Sequence, residues 1–198
     1  PSSAGIKRVI FILMDALSVH RFHNWFLDGD LPLWRNLLRS GSVSEITSIA
    51  PSTTCAALTT LWTGHSTAEH GVAGYELWLK QYGLVANMIT HAPMSYRNGD
   101  AALEKAGFNA ETVLRVPKLG EHLGKHGVST CAFQPYTIAN SGLSKTFMHG
   151  AEIHPFGTEA ECWVNMRKLI EERKEERLLL WTYRGQYDHL SHVYGPDD

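Results

Sequence analysis

The chain has 198 residues, of which 43% are hydrophobic and 19% are charged, with a formal net charge of −2. This balance is typical of one soluble globular domain with a real core, and it excludes a strongly basic binder of nucleic acid or membrane surfaces. From this charge we expect no nucleic-acid polymer as a partner, and because no apolar run is long enough to span a bilayer we expect no membrane either.

The numbers of cysteines and histidines indicate which kinds of disulfide or metal site the chain can form. Three widely spaced cysteines argue against both a disulfide framework and a cysteine metal site. Eleven histidines, in contrast, make metal ligation worth testing. Nothing in residues 1–5 resembles a signal peptide, and together with the missing disulfide pattern this favours a cytoplasmic protein.

The first predicted strand covers residues 7–14, where two basic residues precede six large apolar ones. The run is short and rich in β-branched residues, which favours a fully buried strand over a helix. Asp15 follows directly. Ligand-binding groups of open α/β sheets lie at the carboxyl ends of strands, although an aspartate there can equally cap a helix or a turn.

A helix and a strand are predicted between Asp15 and residue 51. A helix is predicted at residues 30–39, with Asp30 as its cap, Pro32 in its first turn and Gly41 after its end. A strand is predicted at residues 42–49, which contain several β-branched residues.

Residues 51–74 form the stretch around which the chain is organised. Ser52, Thr53 and Thr54 precede a helix predicted at residues 56–62, which ends at a glycine. The free N–H groups and the positive dipole end of a helix start suit an anion such as phosphate. A hydroxyl held there either caps the helix or acts as a nucleophile that becomes phosphorylated.

Two capping boxes mark further helix starts. Ser66 and Glu69 have the required spacing, and so do Thr158 and Glu161, which begin the clearest helix of the chain. Four apolar residues recur at helical spacing in that second helix and should face the core: Trp163, Met166, Leu169 and Ile170.

Elsewhere, strands and helices alternate along the chain. Strands are predicted at 84–89, 128–133 and 178–183, a helix at 117–125 and loops at 91–110 and 184–198, while 137–157 has no assignment. This alternation predicts an α/β protein with a layered α/β/α fold and a largely parallel central sheet, formed by a single domain over residues 1–198.

The last stretch contains a metal-ligand pattern. Asp188 and His192 are four residues apart, so one helical turn places both on the same face, pointing at one ion. Oxygen and nitrogen ligands suit zinc, with manganese or iron as alternatives. Like Asp15, the pair follows a predicted buried strand.

Three stretches together resemble the alkaline phosphatase superfamily, and most closely its type I phosphodiesterases and nucleotide pyrophosphatases. The matching stretches are VIFILMDAL with Asp15, APSTTCAALTTLWTGHSTAEHGV with Thr54, and YRGQYDHLSHVYGP with Asp188 and His192. The resemblance implies a hydrolase of phosphoric (di)esters or nucleotide pyrophosphate bonds that uses two divalent metal ions. Asp15 and Thr54 would contact one ion, and Asp188 and His192 the other. Thr54 would attack phosphorus and form a phosphothreonine that water then cleaves.

The resemblance also implies a later Asp-His pair and a further histidine, which this chain lacks. The 198 residues are therefore expected to be an alkaline phosphatase-like fold truncated at its C-terminus, inactive alone, with exposed apolar surface that favours self-association. The expected substrate is a small phosphate ester. The alternatives are a phosphomutase or phosphonate-cleaving enzyme of the same superfamily, or a non-catalytic remnant that uses the scaffold only for binding.

Overall fold

The computed structural model describes residues 5–28, 32–96 and 101–196. These residues divide into two compact units. Unit 1 contains the described residues of Pro1–Ile12 and Ile49–Tyr183, and unit 2 contains those of Leu13–Ser48 and Arg184–Asp198. The single catalytic domain over residues 1–198 stays a prediction.

Within the described residues, the strands form two sheets. The strands are β1 (Arg8–Met14), β2 (Glu76–Leu79), β3 (Leu84–Asn87), β4 (Ala92–Pro93), β5 (Ser129–Pro135), β6 (Ala151–Phe156) and β7 (Leu178–Arg184). The larger sheet has the order β1-β7-β5-β6, and β5 pairs in parallel with both β6 and β7. The smaller sheet, β2-β3-β4, is antiparallel. The central parallel sheet confirms the predicted α/β class.

The helices lie between these strands and after the last of them. They are α1 (Val19–Asp28), α2 (Pro32–Leu38), α3 (Thr54–Thr63), α4 (Thr67–His70), α5 (Ala102–Lys105), α6 (Leu119–Lys125), α7 (Gly142–Phe147), α8 (Glu159–Glu172) and α9 (Gln186–Tyr194). None of these described helices combines the length and the apolar character needed to cross a membrane.

The core of unit 1 consists of helices packed on both faces of the parallel sheet. On one face, α8 contributes Met166 and Leu169 to a buried cluster with Leu180 of β7. Trp181 points to the opposite face, where Trp62 of α3 packs edge-on against it with ring centroids 5.1 Å apart. Successive residues of a strand face opposite sides, so the apolar run of β7 serves both layers.

Strand β1 forms where predicted, but its predicted burial is wrong. The side chains from Val9 to Ile12 are between 36% and 51% exposed. β1 stands at the end of the sheet order, so among the described strands only β7 pairs with it. A strand at a sheet edge keeps its apolar composition while lacking one neighbour, and composition alone cannot indicate that position.

Two further predictions are wrong. Residues 42–49 are not a strand: they have no regular structure, and Ile46 is 84% exposed without a partner strand to pack against. Residues 184–198 are not a loop, because α9 covers most of their described part. The unassigned residues 137–157 contain α7 and β6.

The predicted helices are present in the structure, with smaller differences in their caps and in which side chains are buried. Both capping boxes are present, at α4 and at α8. The predicted helix at 30–39 is found as α2, whereas its proposed cap Asp30 lies outside the described residues. Met166 and Leu169 face the core as expected, but Trp163 is 43% exposed, since it lies off the face that packs on the sheet.

Candidate active site

Thr54 lies at the start of a helix whose first turn is anchored in the core of unit 1. Thr53 is the N-cap residue with extended backbone (φ −77°, ψ 151°), and Thr54 is the first helical residue. The next two residues, Cys55 and Ala56, are fully buried. The packing of α3 therefore fixes the position of a half-buried hydroxyl at a helix N-terminus.

The neighbouring hydroxyl of Thr53 does not cap this helix. Its side chain makes no capping hydrogen bond, and its buried Oγ1 has no hydrogen-bond partner among the residues that the structure describes. The first N–H groups of an α-helix have no acceptor within the helix. The first turn of α3 is thus not closed by the Thr53 hydroxyl, which removes the capping interpretation for that residue.

Asp15 lies in unit 2, directly after β1. Its N–H donates to the carbonyl of Arg184 over 2.9 Å, which continues the pairing of β1 with β7. Its Oδ1 accepts a 3.0 Å hydrogen bond from the N–H of Ala16. Ala16 has a φ of +61°, so a tight turn follows the strand and orients the half-buried carboxylate.

Asp188 and His192 lie one turn apart on α9, and His192 Nε2 is 3.5 Å from Asp188 Oδ1. Burial raises the pKa of Asp188, and the nearby Asp15 carboxylate raises it further, whereas His192 and His189 oppose the shift. Unit 2 therefore brings together three of the four residues that the sequence singled out. Thr54, the fourth, belongs to unit 1.

Tyr187 ties α9 to α1 within unit 2. The guanidinium of Arg21 donates a hydrogen bond to the Tyr187 hydroxyl and lies 5.1 Å from the centre of its ring. Trp25 packs edge-on against the same ring with centroids 5.6 Å apart. These contacts hold the residue next to Asp188. Sequence reasoning missed them because it predicted neither α1 nor α9.

The comparison with protein families decides the identity of the chain. The model of the type I phosphodiesterase / nucleotide pyrophosphatase family matches residues 9–198. The chain belongs to this family. The match includes Asp15, Thr54, Asp188 and His192 within its range. No curated protein sequence matches the chain.

Solved structures similar to this family member have the same alkaline phosphatase-like fold. Phosphonoacetate hydrolase from Sinorhizobium meliloti 1021, solved with phosphonoformate, aligns with a TM-score of 0.63 and 14% identity over 93% of this chain and 48% of its own. The murine ectonucleotide pyrophosphatase / phosphodiesterase 5 aligns with a TM-score of 0.66 and 13% identity over 96% and 46%. The chain thus spans about half the length of these structures.

This family is generally metal-dependent, and unit 1 contains a cluster of metal-ligand types that the sequence did not indicate. Ligand atoms of Cys131, Glu152 and His154 lie within 4.8 Å of one another. Arg173 already binds both oxygens of the Glu152 carboxylate, over 2.8 and 2.7 Å. Burial raises the pKa of the Cys131 thiol to about 11. The ion pair and the neutral thiol make this cluster a poorer cation site than the carboxylates of unit 2.

Sequence reasoning missed this cluster because its members meet only through strand pairing. Cys131 of β5 lies opposite Glu152 of β6 in the parallel register. The segment that contains β6 had no assignment, so no local signal joined these residues.

Three other histidines of this family member have structural partners. His70 Nδ1 accepts a hydrogen bond from the Val72 N–H over 3.1 Å, and its Nε2 lies 2.9 Å from Thr60 Oγ1. His65 Nδ1 lies 2.8 Å from the Thr63 carbonyl, and His149 Nδ1 lies 2.6 Å from Glu121 Oε1. Burial lowers the pKa of His70, which suits a neutral, hydrogen-bonded ring.

Proposed function

We propose that the chain contributes the nucleophile and four metal ligands to a hydrolase of phosphoric diesters or nucleotide pyrophosphate bonds. Membership of the type I phosphodiesterase / nucleotide pyrophosphatase family supports the reaction class. The observation that carries the proposal is the placement of Asp188 and His192 one turn apart on α9, with the Asp15 carboxylate near enough to raise the pKa of Asp188.

The donor set of unit 2 fits a divalent cation. Asp188, whose pKa is raised by burial and by the nearby Asp15 carboxylate, gains from a cation placed beside it, since the cation relieves that repulsion. Carboxylate oxygen and imidazole nitrogen are ligands that zinc accepts, and manganese and iron accept them too. In this proposal Asp188 and His192 would hold one zinc ion, and the family resemblance assigns Asp15 and Thr54 to a second. When bound, such ions supply Lewis acidity that lowers the pKa of a hydroxyl and stabilises charge on phosphoryl oxygens.

In this proposal Thr54 would be the nucleophile in a displacement at phosphorus. Thr54 Oγ1 would attack phosphorus and release its proton to solvent, while the bond from phosphorus to the leaving oxygen breaks with its electron pair. The leaving group departs with that oxygen and takes a proton from solvent, and a phosphothreonine remains. Water cleaves that adduct and regenerates the hydroxyl. The free N–H groups at the start of α3 would hold phosphoryl oxygens during both steps.

The likeness to phosphonoacetate hydrolase favours a second candidate substrate class. A phosphonate has a carbon–phosphorus bond in place of one ester bond, so the same attack on phosphorus would expel a carbon leaving group. A phosphomutase of the same superfamily would instead return the phosphoryl group to a second hydroxyl of its substrate. These alternatives share Thr54 as the attacking group.

Substrate profiling of the protein expressed from its complete reading frame tests the proposal. The substrates are bis(p-nitrophenyl) phosphate, p-nitrophenyl phosphate and phosphonoacetate, each with and without Zn²⁺ or Mn²⁺. We expect metal-dependent turnover that prefers the diester, loss of turnover in Thr54→Ala and partial turnover in Thr54→Ser. Thr53→Ala is the matched control and should remain active.

Two outcomes would overturn parts of the proposal. An inactive Thr53→Ala with an active Thr54→Ala would move the nucleophile by one residue. No turnover of any substrate with any metal, by a folded protein, would favour a scaffold that only binds.

The 198-residue chain alone should bind metal weakly and lack diesterase activity. Asp15 with Thr54, and Asp188 with His192, give each ion two protein ligands, whereas catalytic zinc sites generally keep three. Calorimetric titration with Zn²⁺ and release of nitrophenol from the diester measure both properties. Tight binding of two ions together with turnover would contradict this expectation.

A further inference from the structure

Unit 1 contains a cavity with mixed apolar and cationic walls. It has a volume of about 370 Å³ and lies between the end of α3 and the start of α6. Its apolar lining includes Leu61, Trp62 and Leu119, and its polar lining includes Lys118, His65 and His122. Such a combination of an apolar wall and a few polar groups is the usual composition of small-molecule pockets.

Lys118 is the unusual member of this lining. Its residue is only 6% exposed, and the nearest carboxylate oxygen, Glu121 Oε1, lies 3.9 Å from its Nζ. That oxygen is itself 2.6 Å from His149 Nδ1. Within the described part of the chain, no hydrogen bond from the Lys118 ammonium is present. The largely enclosed Lys118 ammonium has three N–H groups and no acceptor at hydrogen-bond distance in the described chain, so water or a ligand in the cavity supplies its acceptors.

The apolar wall is preorganised for a ring or a short aliphatic group. Trp62 is fully buried and held edge-on against Trp181, so its position is set by the core. The His65 Nδ1–H donates to the Thr63 carbonyl over 2.8 Å, which leaves Nε2 as the remaining polar atom of that ring.

We propose that this cavity binds a small organic carboxylate, whose acid group pairs with Lys118 and whose apolar body packs against Leu61 and Leu119. One cation in an apolar pocket favours a singly charged acid with a hydrophobic body over inorganic phosphate, which is more strongly hydrated. Trp62 lies eight residues after Thr54 on α3, about 12 Å along the helix axis. The carboxylate pocket is therefore distinct from the proposed phosphoryl-transfer site.

The simpler interpretation is a loose ion pair of Lys118 with Glu121 beside a water-filled hollow. The two interpretations differ in what they predict for ligands of equal shape and different charge. A charge-assisted hydrogen bond in a partly dry site favours the acid over a neutral isostere by about tenfold or more.

The test compares phenylacetate with 2-phenylethanol and inorganic phosphate on the 198-residue chain. Binding is followed by backbone amide shifts in nuclear magnetic resonance titrations. We expect phenylacetate to bind at least about tenfold more tightly than the alcohol, with the largest shifts at residues 61–65 and 118–122. Lys118→Met should weaken phenylacetate binding by about the same factor. Lys125→Met, which changes an exposed lysine on the same helix, should not.

Several results would overturn the proposal. They are equal affinity for the acid and the alcohol, unchanged phenylacetate binding in Lys118→Met, largest shifts outside the cavity, phosphate binding as tight as phenylacetate binding, or no phenylacetate binding. If Lys118→Met does not fold, the comparison of acid and alcohol on the unaltered chain still decides, because it needs no variant.

Discussion

The two units of this chain differ sharply in how they are stabilised. Unit 1 contains every buried apolar side chain that the structure describes, whereas Arg184 is the only buried residue in the described part of unit 2. The proposed nucleophile Thr54 therefore begins a helix that packs into the core of unit 1. Three proposed metal ligands lie in unit 2, which is stabilised by hydrogen bonds, ring contacts and charge. A bound cation would add stability there that burial of apolar side chains does not supply.

The largest expected effect comes from truncating equivalent leucines in the two units. Leu180 is fully buried in the core of unit 1, while Leu190 on α9 is 50% exposed. Leu180→Ala should lower the free energy of unfolding by about 2–5 kcal/mol, because it removes buried contacts and leaves a cavity. Leu190→Ala should change it by less than about 0.5 kcal/mol. Urea denaturation measures both, and equal losses would remove the contrast between the units.

Acid should destabilise unit 1 through His91. This histidine is fully buried, its Nδ1 has no hydrogen-bond partner among the described residues, and burial lowers its pKa to about 4. Because the unfolded chain binds the proton more readily, the contribution is fully present above about pH 6.5 and is lost as the pH falls towards 4. The loss should approach about 3 kcal/mol.

Denaturation of the His91→Gln variant between pH 7 and pH 4 measures this contribution. The variant should be less stable at neutral pH and show a flatter pH dependence than the unaltered chain. Identical slopes for the two proteins would show that His91 does not couple folding to protonation.

A smaller effect distinguishes two glycines on α6, four residues apart. A Cβ on Gly120 would lie 2.7 Å from the Gly150 carbonyl carbon, whereas a Cβ on Gly124 would have nothing within 4 Å. Gly120→Ala should therefore cost about 1–3 kcal/mol through overpacking. Gly124→Ala should stabilise by about 0.5–1 kcal/mol, because alanine loses less entropy in a helix. Thermal denaturation of both variants checks the sign, and stabilisation by both would mean that α6 is loosely packed.

The smallest effect concerns unit 2 and metal. Zn²⁺ at ten times its dissociation constant should stabilise the site by about 1.4 kcal/mol, which slows amide exchange in α9 up to about tenfold. His192→Ala should abolish this protection, whereas His189→Ala, its neighbour on α9, should retain it. Hydrogen-exchange mass spectrometry resolves the two units. Protection centred on Cys131 in unit 1 would instead assign the metal to the cluster with Glu152 and His154.

Local patterns in the sequence were sufficient to predict some features of this fold. The capping boxes at Ser66 and Thr158 each need only residues three apart, and both form. The spacing of Asp188 and His192 likewise depends on one helical turn, and the two side chains do lie side by side on α9. Such features can be predicted because all their partners lie within one turn.

Features that depend on distant partners could not be predicted in this way. The exposure of β1 follows from its place at the end of the sheet order, which its own residues do not encode. Residues 42–49 have strand-like composition but find no partner strand. Arg21 and Tyr187 are separated by most of the chain, so their contact beside Asp188 gave no sequence signal.

The central proposal is that Thr54, set at the start of α3, becomes phosphorylated during turnover. The most direct test is acid quenching of the protein, expressed from its complete reading frame, during turnover of the diester, followed by peptide mass spectrometry. We predict a phosphoryl adduct on Thr54 that is absent in Thr54→Ala. An adduct on Thr53 or Ser52, or undiminished turnover by Thr54→Ala, would contradict it.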